Sequence, residues 1–169
     1  MSSEGRVWVF GDDINTDLII PGRYLDRYDP KHLAAHAMEG ARKDFAKQVR
    51  EGDLVVAGRN FGCGSSREQA VIALKEAGVS AVLAVSFARI FYRNAINLGL
   101  PVVVSPDASS ILADGDRAML DLSSGVVVKA GGAAKVRLES IPDMAREILD
   151  HGGLVPHVRA RMKAGKGPS

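Results

Sequence analysis

A glycine-rich turn at residues 58–68, with the sequence GRNFGCGSSRE, carries the side chains best suited to chemistry. Gly64 allows a ligand to approach the backbone closely, and Ser65, Ser66 and Arg67 follow it at the predicted start of a helix. Backbone N–H groups at a helix start lack partners, and the helix dipole is positive there. The arginine guanidinium adds planar donors that match a carboxylate or a phosphate. The turn therefore predicts an anion-binding site with hydroxyl groups beside it.

Proton abstraction next to a substrate carboxylate is the reaction that uses these groups most economically. A serine acts as a base only if its alkoxide is stabilised, and helix amides with a neighbouring arginine can stabilise it. We therefore expect Arg67 to hold the carboxylate and Ser65 to take the proton. A leaving hydroxide would then need a Lewis acid. The one cysteine, Cys63, cannot by itself build an iron–sulfur cluster or a thiolate zinc site.

Other interpretations of the turn stay open at this point. Ser65 with Glu68 matches a capping box, in which the two side chains satisfy amides of the first helical turn. Cys63 can act as a thiol nucleophile in an electropositive turn, although no histidine is near it in sequence. The turn is not a P-loop, because no Gly-Lys-Ser/Thr follows its glycines, and it departs from the dinucleotide-binding fingerprint.

A second polar cluster consists of Asp12, Asp13, Asn15, Thr16 and Asp17. A calcium loop beginning at Asp13 would need glycine at position 18 and glutamate at position 24, but leucine and tyrosine stand there. The cluster is either an acidic turn that closes a strand or the source of one carboxylate, best Asp17, beside the anion site.

Two pairs of side chains have helical spacing. His32 and His36 are four residues apart, but no third ligand is evident, so we expect no metal site there. Arg89 and Arg93 share one face of a predicted helix, where they either contact solvent or meet a partner or its substrate.

The elements that must position these residues follow from hydrophobic patterning. Apolar runs near 54–57, 81–86 and 100–105 alternate with amphipathic segments, which predicts a parallel sheet with ligands at the carboxyl ends of its strands. Alternating segments after Pro106 predict antiparallel strands. The predicted remainder is a strand at 6–10, helices at 31–40 (after Pro30), 66–78, 87–99 and 143–153, and antiparallel strands at 117–122, 126–130 and 134–139.

Length and composition limit the alternatives. The chain has 169 residues, of which 46% are hydrophobic, so we expect one domain over 1–169 with a flexible basic tail from about 161. A net charge of +2 does not favour a nucleic-acid partner. No basic leader and no apolar run of membrane-spanning length is evident, so we expect no membrane association and a cytoplasmic location.

Three motifs carry a family resemblance: GDDINTDLIIPGRYL, GRNFGCGSSREQAVIAL and SFARIFYRNAINLGLPVV. In this order they resemble the small subunit of 3-isopropylmalate dehydratase and the related homoaconitase and 2,3-dimethylmalate dehydratase small subunits. All of these are similar to the swivelling domain of aconitase. The resemblance implies a β/β/α swivelling domain of the α/β class, docked on a large subunit that carries a [4Fe–4S] cluster. The assembly would be a heterodimer or a heterotetramer.

The resemblance also implies roles for individual residues. Ser65 would be the catalytic base, while Ser66 and Arg67 would bind substrate, and Asp17 would be an active-site residue. The reaction would remove and re-add water on a hydroxy-dicarboxylate, moving its hydroxyl between adjacent carbons. The more distant alternative is that the chain is a non-catalytic module that only binds a dicarboxylate.

The loop after Tyr24 and Leu25 would read the variable group of the substrate. It contains Asp26, Arg27 and Tyr28 here, which departs from the usual forms. Arg27 would either pair with an extra substrate carboxylate, as a homoaconitase requires, or pair with Asp26 and leave Leu25 and Tyr28 to face an alkyl group.

Overall fold

The computed structural model describes residues 2–132 and 134–165, which form a seven-stranded mixed sheet with helices between and after its strands. The strands are β1 (Ser2–Val9), β2 (Leu54–Ala57), β3 (Ala81–Ala84), β4 (Val102–Val104), β5 (Arg117–Asp121), β6 (Val126–Lys129) and β7 (Lys135–Arg137). The helices are α1 (Thr16–Ile19), α2 (Pro30–Ala34), α3 (Phe45–Gln48), α4 (Glu68–Glu76), α5 (Arg89–Leu98), α6 (Ala108–Ile111), α7 (Asp143–Asp150) and α8 (Leu154–Lys163). The strand order is β4-β3-β2-β1-β5-β6-β7.

Strand β1 joins the two halves of the sheet. Its residues 7–9 pair in parallel with β2, while residues 2–6 pair antiparallel with β5. Because one strand serves both halves, the parallel and antiparallel parts share a continuous hydrogen-bonded sheet. The sequence predicted both parts of the sheet but not this connection through β1.

The parallel half is the predicted strand–helix–strand–helix–strand unit, and this prediction is confirmed. All residues of β2 and β3 are buried, as expected for parallel strands covered on both faces. Helix α4 buries the stripe Ala70, Val71, Ala73 and Leu74, and α5 ends at Gly99, whose φ of 83° suits a glycine helix stop. This unit places the starts of α4 and α5 at the carboxyl ends of β2 and β3.

The antiparallel half also agrees with the sequence. Strands β5, β6 and β7 lie within the three segments predicted from their alternating pattern. Their buried apolar side chains include Ala118, Leu120, Val127 and Val136, which join the same hydrophobic core as the parallel strands. Exposed residues alternate with them along β5 and β7.

The helix predicted at 31–40 is wrong beyond Ala34. Asp29 caps the start of α2 and Pro30 is its first residue, as expected, but residues 35–41 form turns. Met38 has φ 58°, and its backbone N–H donates to the Ile19 carbonyl at 2.7 Å. Gly40 then passes so close to the backbone of Leu18 that a side chain there would overlap it. Packing against α1 therefore unwinds the helix.

The C-terminal region contains more helix than the sequence predicted. Helix α7 matches the helix predicted at 143–153, but α8 was not predicted, and it continues through residues 161–163, where the flexible tail was expected to begin. Pro156 lies in the first turn of α8, where proline costs no intrahelical hydrogen bond. Residues 166–169 of that predicted tail lie outside the described residues. None of the helices in the described part of the chain has the length and apolar character needed to cross a bilayer.

A buried carboxylate ties β1 to the segment that precedes β2. Asp53 is 2% exposed and accepts three hydrogen bonds, each of 2.9 Å, from the backbone N–H groups of Arg6 and Arg50 and from Nε1 of Trp8. Buried donors without an acceptor are costly, so these three donors depend on one side chain.

We expect Asp53→Ala to lower the free energy of unfolding by about 3 kcal/mol, because it leaves the buried Trp8 Nε1 and two partly buried backbone N–H groups without their acceptor. Urea denaturation measures the change. Asp107→Ala is the matched control, because the Asp107 side chain makes no capping hydrogen bond and the residue is exposed. Equal losses in the two variants would contradict the assignment.

Candidate functional site

The glycine-rich turn lies at the carboxyl edge of the parallel strands, as predicted. The connections that follow β2 and β3 stay hydrogen-bonded beyond the strands, through a parallel bridge between Phe61 and Phe87. The Phe61 N–H donates to the Ser86 carbonyl at 3.0 Å, and the Ala88 N–H donates to the Phe61 carbonyl at 2.9 Å. These contacts bring the turn 62–67 beside the first residues of α5.

A second segment, residues 14–16, holds the turn from the other side. The Gly62 N–H donates to the Ile14 carbonyl at 2.7 Å, and the Thr16 N–H donates to the Cys63 carbonyl at 2.9 Å. The Thr16 hydroxyl donates to the Ser65 carbonyl at 2.9 Å. Because backbone groups of 62–65 are bound in this way, the side chains of Ser65 and Ser66 remain exposed.

Gly62 is the position where this packing requires glycine. Its φ is 83°, and an added Cβ would overlap the Phe91 ring. Gly64 lies at the cleft surface described below, whereas Gly58 packs against the Asp12 side chain. The glycines of the motif therefore serve different purposes, and only the later two border the cleft.

The exposed serines border a cleft of about 290 Å³. Neither α4 nor α5 has a side-chain hydrogen bond at its N-cap, and both N-cap residues, Arg67 and Ala88, line the cleft. Two helix N-termini with uncapped amides therefore face one space, which favours an anion there. The lining residues are Thr16, Gly62, Gly64, Ser65, Ser66, Arg67, Ala88, Arg89, Ile90, Phe91 and Asn94.

The capping-box interpretation of Ser65 and Glu68 is wrong. Helix α4 begins at Glu68 with Arg67 as its N-cap, so Ser65 stands two residues too early to cap it. The Glu68 carboxylate instead accepts a 2.5 Å hydrogen bond from the hydroxyl of Tyr28. As a result, the serine hydroxyls are not used in holding the helix start.

Arg67 is held in a defined orientation at the edge of the cleft. Its Nη1 donates to Asp17 Oδ1 at 3.3 Å and to the Ile20 carbonyl at 3.2 Å, and its side chain is 22% exposed. Asp17 Oδ1 also accepts from the Gly22 N–H at 3.0 Å. The hydrogen bond from Gly22 has the largest effect and the Arg67 guanidinium the next largest, and both lower the pKa of Asp17 from its ordinary value of 3.8. Asp17 is thus a carboxylate that orients the arginine.

The other acidic residues of the 12–17 cluster have structural contacts. Asp12 Oδ1 accepts from the Arg59 N–H at 2.7 Å, and Asp13 Oδ1 accepts from Asn60 Nδ2 at 3.1 Å. These bonds cross-link the end of β1 to the start of the glycine-rich turn. Asp12 and Asp13 therefore belong to the acidic turn that closes the strand, whereas Asp17 is the carboxylate that lies beside Arg67.

Arg27 is not among the residues that line the cleft. Its side chain is 62% exposed and lies 3.7 Å from Asp29, so the expected alternative pairing with Asp26 is wrong. Asp26 faces His32 at 3.5 Å instead. The cause is local, because Asp29 is fixed as the N-cap of α2 two residues after Arg27.

Of the remaining candidate residues, only Arg89 lines the cleft. Cys63 is half-buried and does not line the cleft. The ring of His36 stacks on the ring of Tyr24, with the two ring centroids 3.6 Å apart. Across residues 2–132 and 134–165, no three His, Cys, Asp or Glu side chains are grouped as a metal site. Arg89 lines the cleft, whereas Arg93, one turn further along α5, does not.

Sequence reasoning missed the cleft position of two polar residues, Thr16 and Asn94. Thr16 was noted only as part of a polar cluster, and its bond to the Ser65 carbonyl spans 49 positions in the sequence. Asn94 lies in the third motif, and only the packing of α5 against the turn places it here. The signal for both was their position inside the three ordered motifs.

The sheet and the cleft define an α/β domain with a serine- and arginine-lined cleft at the carboxyl edge of its parallel strands. The model of the aconitase C-terminal domain matches residues 12–107, a range that contains the 12–17 cluster, the glycine-rich turn and α5. The chain belongs to this family. The predicted aconitase-type fold and the family resemblance are confirmed.

Individual relatives cover nearly the whole chain. The methanogen homoaconitase small subunit of Methanothermobacter thermautotrophicus is 57% identical over 154 residues, 90% of this chain and 88% of that protein. The 3-isopropylmalate dehydratase small subunit 1 of Methanopyrus kandleri is 55% identical over 155 residues, 92% of this chain and 91% of that protein. The crystal structure of 3-isopropylmalate dehydratase from Methanocaldococcus jannaschii superposes with a TM-score of 0.93 at 48% identity, covering 98% of each chain.

We expect the Asp17 carboxyl to titrate below 3.8, because its charged form is favoured by the Gly22 N–H and by Arg67. The Arg67–Asp17 ion pair then persists above the lowered pKa and is lost as the pH falls through it. NMR titration of the side-chain carboxyl measures the midpoint, and Arg67→Gln should raise it without restoring 3.8, since the Gly22 bond remains. An unchanged midpoint in that variant would contradict the contact.

Proposed function

We propose that this chain is the small subunit of a two-subunit hydro-lyase that interconverts 2-isopropylmalate and 3-isopropylmalate by removing and re-adding water. The observation that carries the proposal is the pair of exposed hydroxyls, Ser65 and Ser66, beside Arg67 and two uncapped helix N-termini. Relatives that share about half of its residues over most of its length are named 3-isopropylmalate dehydratase small subunits. The whole chain would act as one swivelling domain.

Arg67 binds a substrate carboxylate in this mechanism. Asp17 and the Ile20 carbonyl occupy Nη1, which fixes the guanidinium plane before substrate arrives and leaves its other donors for the ligand. Ser66 and the backbone at Gly64 complete the anion contacts from the turn, which residues 14–16 hold in place. Binding therefore needs little rearrangement of this chain.

Ser65 takes the proton from the carbon next to that carboxylate. The C–H bond breaks, the proton moves to the serine oxygen, and the electron pair forms a carbon–carbon double bond as hydroxide leaves the neighbouring carbon. The positive end of the α4 dipole and the Arg67 charge stabilise the serine alkoxide, which makes it available as a base. Return of the proton from Ser65 and of hydroxide to the opposite carbons, which together re-add one water, completes the isomerisation.

A partner completes the site in this proposal. The small-subunit names of the relatives imply a large subunit. A [4Fe–4S] cluster bound by that subunit would supply the Lewis acid for the leaving hydroxyl, since one cysteine in this chain cannot hold a cluster. The complex would be a heterodimer or a heterotetramer that works in the cytoplasm, in leucine biosynthesis.

A homoaconitase or 2,3-dimethylmalate dehydratase small subunit is the second candidate. A relative at 57% identity is named a homoaconitase small subunit, and Arg27 offers an exposed cation in the loop next to α4. The alternatives outside this class have less support. A thiol enzyme would need Cys63 in the cleft, which it does not line, and a simple binding module would hold a dicarboxylate tightly without a large subunit.

We expect Ser65→Ala to lower turnover by about 10²–10⁴-fold, because the variant lacks the base. The assay is anaerobic reconstitution with the large subunit, using isopropylmalate, homoaconitate and dimethylmalate side by side. Ser109→Ala, at an exposed position in α6, is the control, and both variants should assemble normally. Retained turnover in Ser65→Ala would contradict the mechanism.

We expect Arg89→Gln to raise KM by about tenfold or more, because a charge-assisted hydrogen bond contributes about 1.5–3 kcal/mol. Arg89 lines the cleft, and no hydrogen bond or ion pair engages it within the described residues, so its guanidinium is available to a second carboxylate. Arg93→Gln is the matched control on the same helix, outside the cleft. A similar KM in both variants would show that Arg89 does not bind substrate.

A further inference from the structure

Two adjoining cavities lie on the side of the sheet away from the cleft. The first, of about 280 Å³, lies where β3 and β4 begin, beside Val79, Ser80, Leu100 and Pro101. The cleft lies at the carboxyl edge of the same parallel strands, and no residue lines both spaces. Because the chain enters parallel strands at one edge of the sheet and leaves them at the other, the two spaces are at opposite edges.

The first cavity has mostly apolar walls. Leu120 of β5, Ile141 ahead of α7 and Leu149 of α7 line it together with the residues that precede β3 and β4. Its volume of about 280 Å³ equals that of about nine waters in the liquid, at ~30 Å³ each, which is room for an alkyl chain of about six carbons. Transfer of such a chain from water to these walls is favourable.

A second cavity, of about 420 Å³, continues the first. Both are lined by Leu122, Ile141 and Arg146, so they form one space beside α7, which we call the α7 groove. The walls of the second cavity are more polar and include Arg137 and Glu139. The α7 groove therefore has an apolar end and a polar end, and Arg146 lines both.

The arginines of the α7 groove are available to a ligand. Arg146 is exposed, and no hydrogen bond or ion pair engages its guanidinium within residues 2–132 and 134–165; the same holds for Arg137 at the polar end. Lys75, at the apolar end, is already used, because its Nζ donates to the Leu98 carbonyl at 2.7 Å. Two guanidinium groups in the groove thus have unused donors.

The charge of the groove favours an anion. Glu139 at the polar end and Asp150 at the apolar end also line it, but neither makes an ion pair with Arg137 or Arg146 in the described part of the chain. With Lys75, the lining has three cations against two anions. A guanidinium can give two parallel hydrogen bonds to a carboxylate. A carboxylate attached to an alkyl chain would therefore match both ends of the groove.

We propose that the α7 groove binds a short aliphatic carboxylate, whose chain occupies the apolar end and whose carboxylate is held by Arg146. The ligand contacts α7, β5 and the segments before β3 and β4 at once, so its binding stabilises the packing of α7 on the sheet. The site goes beyond the proposed function and does not depend on it, because no residue of the groove lines the cleft.

The first test titrates hexanoate into the full chain and follows the backbone amides by heteronuclear NMR. Amides of residues 79–80, 100 and 146–150 should shift together and reach saturation. Hexylamine and hexanol have the same chain and should bind at least about tenfold more weakly, because they cannot accept charge-assisted hydrogen bonds from Arg146. Absence of a saturable shift in the groove, shifts confined to residues 62–67, or equally tight binding of hexylamine would each overturn the proposal.

The second test locates the carboxylate with variants of Arg146, and isothermal titration calorimetry measures each Kd for hexanoate. Arg146→Gln should weaken binding by about tenfold or more, and Arg146→Lys, which keeps the charge but loses the paired donors, should weaken it less. Arg159→Gln is the matched control, because Arg159 is an exposed arginine of α8 that does not line the groove.

Thermal unfolding without ligand checks that the variants fold alike, which we expect because Arg146 and Arg159 are exposed. Equal weakening of hexanoate binding in Arg146→Gln and Arg159→Gln would overturn the assignment of the carboxylate to Arg146. These measurements need no turnover, so a complex that converted none of the dicarboxylates would contradict the proposed function and leave the result for the groove unchanged.

Discussion

The hydrogen bonds between residues 14–16 and 62–65 are the constraint on which the site depends. They join segments that are far apart in sequence, and they bind the backbone of the glycine-rich turn, in which Ser65 and Ser66 are exposed. A turn with this many glycines would otherwise have many backbone conformations. Thr16 contributes twice, through its backbone N–H to Cys63 and through its hydroxyl to Ser65. The order of the glycine-rich turn is therefore a tertiary property.

Charge in the cleft is arranged by the sheet rather than by any one motif. Because β2 and β3 are adjacent and parallel, the helices that follow them start side by side, and their dipoles add. Arg67 brings a full charge, and Asp17 keeps it oriented. In the proposed complex this face would receive the anionic substrate.

The loop at residues 22–29 is attached to the same arrangement. Asp17 contacts both Arg67 and the first residue of the loop, and Glu68 follows Arg67 and holds Tyr28. The loop is therefore connected to the arginine by two hydrogen bonds through Asp17 at its beginning, and to the residue after the arginine by one hydrogen bond near its end.

Local patterns in the sequence determined the strand–helix alternation, the antiparallel strands, the helix ends at Pro30 and Gly99, and the cluster of Ser65, Ser66 and Arg67. These features follow from periodicity, glycine and proline, which act over a few residues. Contacts between distant segments decided the rest. Packing on α1 ended α2 early, Glu68 met Tyr28 rather than Ser65, and Arg89 rather than Arg93 faced the cleft. The tertiary structure decided these points because each depends on which backbone lies opposite a side chain, and local propensity carries no information about that.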